Sequence, residues 1–135
     1  MIVLDASVLV AFTNRHDKHH EKAIDVLSSD VEFGSHRLTV AEFLVLPARH
    51  GRARMAWDFL TRDDTAGGMG VRVLHDRDVA GTPWPIHLAE LRAQSGLKLP
   101  DAVVLATAVA YSARLASFDA RMQSSAQAIG ILYEV

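Results

Sequence analysis

Met1-Ile2-Val3-Leu4-Asp5-Ala6-Ser7-Val8-Leu9-Val10-Ala11-Phe12 is the stretch on which the fold turns. Ile2, Val3 and Leu4 make a short apolar run rich in branched side chains, which suits a strand buried on both faces of a parallel sheet. From Val8 to Phe12 the apolar residues arrive at helical spacing, so the chain passes from strand to helix around residues 5–7. Asp5 therefore stands at the carboxyl end of a central strand, the edge at which open α/β sheets bind ligands. A charge so close to a buried strand is costly unless it is paired, caps the next helix or holds a cation.

Beyond this opening, strand and helix signals alternate. Helical periodicity returns over His19–Leu27, and Val31–Ser35 reads as a second strand. A helix is expected from near Thr39 to Gly51, kinked or shortened by Pro47, and another over 52–62. Asp63–Gly70 contains three glycines but leads into a strand, so it reads as a turn and not a phosphate cradle. Val71–Leu74 is the third expected strand. Thr82-Pro83 opens a helix that Gly96 closes. Pro100–Ala113 is apolar almost all round, as a deeply buried helix must be. Arg114–Phe118, Ala120–Ala128 and Ile131–Val135 read as strand, helix and final strand. The pattern predicts one domain over residues 1–135, a three-layer α/β/α sandwich around a parallel sheet.

Bulk properties narrow the classes. Half of the 135 residues are hydrophobic, enough for a core without covalent staples. The chain has no cysteine, which excludes disulfides, zinc–thiolate sites and thiol nucleophiles and fits a reducing cytoplasm. Asp5 interrupts the apolar start, which also lacks a cationic leader, so a signal peptide is not expected. No apolar run approaches the ~20 residues that cross a bilayer. Net charge is −2, so a polyanionic partner would have to be held by local cations and metal ions.

Four acids fall at equivalent places, each after a strand or at a helix start: Asp5, Glu42, Asp101 and Asp119. Each has a local explanation. Thr39-Val40-Ala41-Glu42 has the form of a capping box, Asp101 follows Pro100 in a first helical turn, and Asp119 is a ready N-cap. Convergence would need a stronger cause, because two unit charges ~5 Å apart repel by roughly 3 kcal/mol at an effective dielectric of 20. Hard divalent cations supply one: oxygen-only ligation suits Mg²⁺ or Mn²⁺, which bind phosphates and serve phosphodiester hydrolysis. Relief of that repulsion predicts that Asp5→Asn stabilises the metal-free fold.

Val-Leu-Asp5-Ala-Ser, Thr-Val-Ala-Glu42-Phe-Leu, Leu-Pro-Asp101-Ala-Val-Val and Ala-Ser-Phe-Asp119-Ala-Arg resemble, in order and spacing, the four-acid pattern of PIN-domain ribonucleases. The chain length and the His19-His20-Glu21-Lys22-Ala23 segment resemble the VapC-type toxins of bacterial toxin–antitoxin pairs. The resemblance covers essentially the whole chain. It implies a five-stranded parallel sheet, Mg²⁺- or Mn²⁺-dependent endoribonuclease activity, a homodimer and inhibition by a VapB-like antitoxin. It also implies that Asp5, Glu42, Asp101 and Asp119 are the catalytic, metal-binding acids, supported by the hydroxyls of Ser7 and Ser117. Phe118 departs from the pattern, since relatives often carry a polar residue between that hydroxyl and acid.

Arg15, Lys18 and His20, with His16 and His19, are the candidates for an RNA-contacting rim. Arg49, Arg52 and Arg54 read as a solvated helix end, and His75, Asp76 and Asp78 as structural groups at the sheet edge. Trp57 and Trp84 read as core or interface anchors. An aspartyl-phosphate enzyme would want an acid where Ser7 stands. A phospho-receiver would want an acid ending the third strand and a lysine after Lys98, and neither is present. The alternative to the nuclease is a catalytically silent PIN-like module that binds RNA or a protein through the same pocket.

Overall fold

The computed structural model describes residues 1–134. Four strands, β1 (Ile2–Leu4), β2 (Phe33–His36), β3 (Val71–Leu74) and β4 (Arg114–Ala116), form a parallel sheet in the order β3-β2-β1-β4. β1 pairs with β2 through Ile2 opposite Phe33, and with β4 through Leu4 opposite Ala116. Side chains alternate across the sheet, so β1 feeds two cores. Ile2 and Leu4 join a core with α1 (Ala6–Thr13), α2 (His20–Leu27), α3 (Arg37–Arg49) and α4 (Ala53–Thr61). Val3 joins the other, with α5 (Trp84–Ser95), α6 (Leu99–Ala110) and α7 (Ala120–Ala128). This is the expected three-layer sandwich. Every residue of α6 from Ala102 to Ala108 is buried, as its all-round apolar sequence requires.

The sheet has four strands among the described residues, not five. The expected final strand, Ile131–Val135, is reduced to one parallel bridge between Leu132 and Leu115, and Val135 lies outside the described residues. Leu115 donates its amide to the Ile131 carbonyl and accepts from the Tyr133 amide. Ser117, the next residue on that edge, has its carbonyl taken by the Gln123 side-chain amide at 2.9 Å.

The expected capping box at Thr39–Glu42 does not form. α3 starts at Arg37, and its N-cap is His36, whose Nδ1 accepts the Leu38 amide at 3.1 Å. Thr39 is buried inside the first turn. β2 likewise starts at Phe33 and not Val31, which is exposed. Gly34 in β2 lets Leu74 lie close against it: a Cβ there would stand 2.7 Å from Leu74 Cδ1, so that buried side chain would have to shift.

Candidate active site

Asp5 ends β1 and caps α1, so both features read from the opening stretch meet in one residue. Its Oδ1 accepts the Ala6 amide at 2.8 Å. Its Oδ2 accepts the hydroxyls of Ser7 at 3.0 Å and Ser117 at 2.7 Å. The side chain is buried, with 6% of the residue exposed, and these three donors are what make a buried carboxylate tolerable. Ser7 Oγ in turn accepts the Phe118 amide, and Ser117 Oγ accepts the Asp119 amide at 3.0 Å. Asp119 completes the chain of bonds as the N-cap of α7, its Oδ1 accepting the Met122 amide. The network bridges the carboxyl ends of β1 and β4. The connections from β1 lead through β2 to β3 on one side, and β4 lies on the other. The crevice is therefore a switch point of the sheet, where α/β folds place their ligands.

Glu42 and Asp101 reach the same edge from α3 and α6. Burial raises the proton affinity of the Glu42 carboxyl, and the charges of Asp5 and Asp101 raise it further. Burial, then the charges of Asp5 and Asp119, does the same to Asp101, with Lys98 and Arg121 partly offsetting it. Four acids from separate parts of the sequence therefore act on one another. They do not form a closed cage: among the described residues, no three His, Asp or Glu side chains are grouped tightly enough to ligate one ion. The donors are nevertheless all oxygens with excess negative charge. Mg²⁺ needs only one or two direct carboxylates and keeps its waters, so the residues fit a hard dication in type and charge.

The rim residues divide. Arg15, His16 and His20 line a groove of about 810 Å³ between α1, α3 and α4, and Lys18 is exposed beside it. His20 Nδ1 sits 2.8 Å from the Ala11 carbonyl, which ties this loop to α1. Arg54 pairs with Asp58 one turn along α4. Asp76 bonds His36 Nε2 at 2.7 Å, and Asp78 accepts the Trp84 amide at 2.8 Å, so both are structural. Trp57 and Trp84 pack against the two cores, Trp84 also stacking on His36 with ring centroids 5.9 Å apart. Two contacts have no clear signal in the order of residues. One is the capping by His36, since histidine is not among the favoured N-caps. The other is His19 stacked on Phe118, centroids 4.7 Å apart and 17° from parallel; only the departure of Phe118 from the family pattern hints at it.

Comparison with known proteins follows the same lines. VapC20 of Mycobacterium tuberculosis, described as a Sarcin-Ricin loop cleaving toxin, is similar over 98% of this chain and 97% of its own, at 19% identity and TM-score 0.62. FitAcB from Neisseria gonorrhoeae matches over 94% of each chain at 20% identity, with TM-score 0.69. VapBC2 from Rickettsia felis, solved bound to a DNA fragment from its promoter, matches over 98% of this chain and 96% of its own, at 17% identity and TM-score 0.65. No curated protein sequence matches. At such identities the structures establish a shared fold. The PIN domain family itself matches the sequence over residues 2–127, nearly its full length, and the chain belongs to that family.

Proposed function

We propose that this chain is a Mg²⁺- or Mn²⁺-dependent endoribonuclease, a VapC-type toxin neutralised by a VapB-like antitoxin in the cytoplasm. The observation that carries this reading is the mutual electrostatic influence of Asp5, Glu42, Asp101 and Asp119 at the switch point of the sheet. These four acids would hold the metal. When bound, the ion supplies positive charge that neutralises phosphate oxygens and makes a water more acidic. Ser7 and Ser117 fix the direction of the Asp5 carboxylate, so no conformational freedom is left to lose when substrate arrives. Glu42, with its side chain nearer solvent, completes the set of carboxylates from the α3 side. Arg15 and Lys18 supply cations for the RNA backbone beyond the site, and His20 braces their loop.

Partners are read from two uncovered apolar surfaces. The groove containing Phe43, Leu46, Met55 and Phe59 is edged by Arg15 and Arg52, which suits an amphipathic acidic segment such as an antitoxin would supply. Toxin–antitoxin complexes among the structural neighbours support an antitoxin as partner. Leu38, Val45 and Leu99 leave a second apolar face about half exposed around α3 and α6, suited to a second copy of the chain. No helix among the described residues is long and apolar enough to cross a membrane.

The test is incubation of purified protein with total RNA, with and without Mn²⁺, followed by mapping of the product ends. Discrete Mn²⁺-dependent cuts that vanish in Asp5→Asn are expected. Cuts of equal yield from both proteins would point to a contaminant and sink the proposal. The rival is a catalytically silent module that binds RNA or a protein through the same crevice. That rival predicts RNA or antitoxin binding with no cleavage under any divalent ion.

A further inference from the structure

We propose that the stacked rings of His19 and Phe118 form the platform on which one unpaired base of the RNA lies, next to the phosphate that is cut. The assignment rests on the nuclease reading of the carboxylate edge. Phe118 is fixed to that edge on both sides: Ser117 bonds Asp5, Asp119 caps α7, and the Phe118 amide itself donates to Ser7 Oγ at 3.1 Å. Its ring is only partly buried, one part packed on the core beneath the sheet. The remainder is met by His19, with ring centroids 4.7 Å apart and planes 17° from parallel, within the range of offset stacking.

Several bonds hold His19 in this place. Its amide donates to Asp17 Oδ1 at 2.8 Å, the His20 amide donates to the Asp17 carbonyl, and the His20 ring is tied to the Ala11 carbonyl. A loop needs none of this to cover a phenylalanine, and an aliphatic side chain would exclude water better. What the pair offers is a flat, partly exposed aromatic face beside four carboxylates, with Lys18 adjacent in sequence and exposed for a flanking phosphate. Single-stranded RNA is recognised in this way, by bases splayed onto Phe or His rings, with little dependence on base identity. The unusual Phe118 thereby acquires a role. Where the family pattern favours a polar residue, this chain has a ring that extends the site to a base.

The experiment uses single-stranded RNA oligonucleotides carrying the fluorescent base 2-aminopurine at one position at a time. Binding is measured with the full chain in EDTA, and cleavage kinetics with Mn²⁺. Wild type should quench the probe most strongly at a position flanking the cut. His19→Ala and Phe118→Leu should abolish the quenching and raise KM about tenfold with kcat little changed. His19→Tyr should restore both. Because Phe118 also packs on the core, His19→Ala is the deciding variant, with its melting temperature checked against wild type. Retained quenching and KM in His19→Ala, or no quenching by wild type at any position, overturns the platform while Mn²⁺-dependent cutting still stands. Quenching without any cutting does the opposite: it supports the platform as a binding surface and removes the nuclease reading.

Discussion

Asp5 accepts hydrogen bonds from the Ala6 amide and the hydroxyls of Ser7 and Ser117, and a carboxylate so fully engaged is at rest in its buried position. An asparagine there would keep the cap but offer an NH₂ group to one or both hydroxyls. Asp5→Asn should therefore lower the melting temperature of the metal-free protein, opposite in sign to the expectation drawn from repulsion alone, as thermal melts would measure. Asp101 is the acid that does behave as repulsion predicts. Burial and the charges of Asp5 and Asp119 make its ionised form less favourable in the folded chain than in the unfolded one. A carboxyl with raised proton affinity contributes its full stability below the ordinary carboxylate range, and that contribution is lost as pH rises through the folded value. Asp101→Asn should therefore raise the melting temperature of the metal-free protein by about 2 °C at pH 7. The gain should shrink as pH falls into the carboxylate range, toward pH 4, because the wild-type carboxyl takes up its proton more readily than an ordinary aspartate. Thermal melts at the two pH values check this; an equal gain at both would show that the charge is not the cause.

α3 carries Glu42 to the site, and what fixes its start is a histidine. His36 is completely buried, accepts the Leu38 amide on Nδ1, donates from Nε2 to Asp76 and lies against Trp84. Burial lowers its pKa despite the hydrogen bond and charge of Asp76, and the charges of Arg37 and His75 push the same way as burial. The neutral ring is thus favoured on folding. Its contribution is present above the unfolded value of 6.5 and is lost as pH falls below it, because the unfolded imidazole takes up a proton that the buried ring, with Nδ1 engaged by the Leu38 amide, resists. Serine would cap the helix but leave Asp76 only the 3.4 Å contact from Arg37, and Trp84 without its stacking surface. His36→Ser should cost about 2 kcal/mol at pH 7 and flatten the decline of stability between pH 7 and pH 5, as urea unfolding would measure. No rule of local sequence could have found this cap, because Thr39 and Glu42 satisfy the capping-box pattern better than His36 does. What selects His36 is Asp76, forty residues on, at the end of a different strand. The same limit explains the fifth strand: Ile131, Leu132 and Tyr133 are suitable strand residues and do bridge to Leu115, but the next carbonyl of that edge, of Ser117, is taken by a side chain of α7. By contrast, α6 was legible because Ala102–Ala108 is apolar on every face, and Asp5 because strand and helix signals meet on either side of it.

In the whole molecule, β1 separates two cores and delivers its carboxyl end to the crevice between β1 and β4, with α3 and α6 bringing acids from opposite layers. Those acids repel one another across layers that only the cores hold together, so a cation in the crevice should stabilise the fold as a whole. Binding to the folded state alone at about 100 times the dissociation constant is worth about 2.7 kcal/mol, which corresponds to a rise of roughly 5–10 °C in melting temperature for a chain of this size. Mn²⁺ should produce such a rise at pH 7, and NaCl at matched ionic strength should not. Protons compete for Glu42 and Asp101, whose affinity for them is raised, so the Mn²⁺ shift should shrink as pH falls from 7 to 5. It should also be much smaller in Asp101→Asn. A shift of the same size in wild type and Asp101→Asn at both pH values would mean that the ion binds elsewhere, and the crevice would then lose its claim to be a metal site.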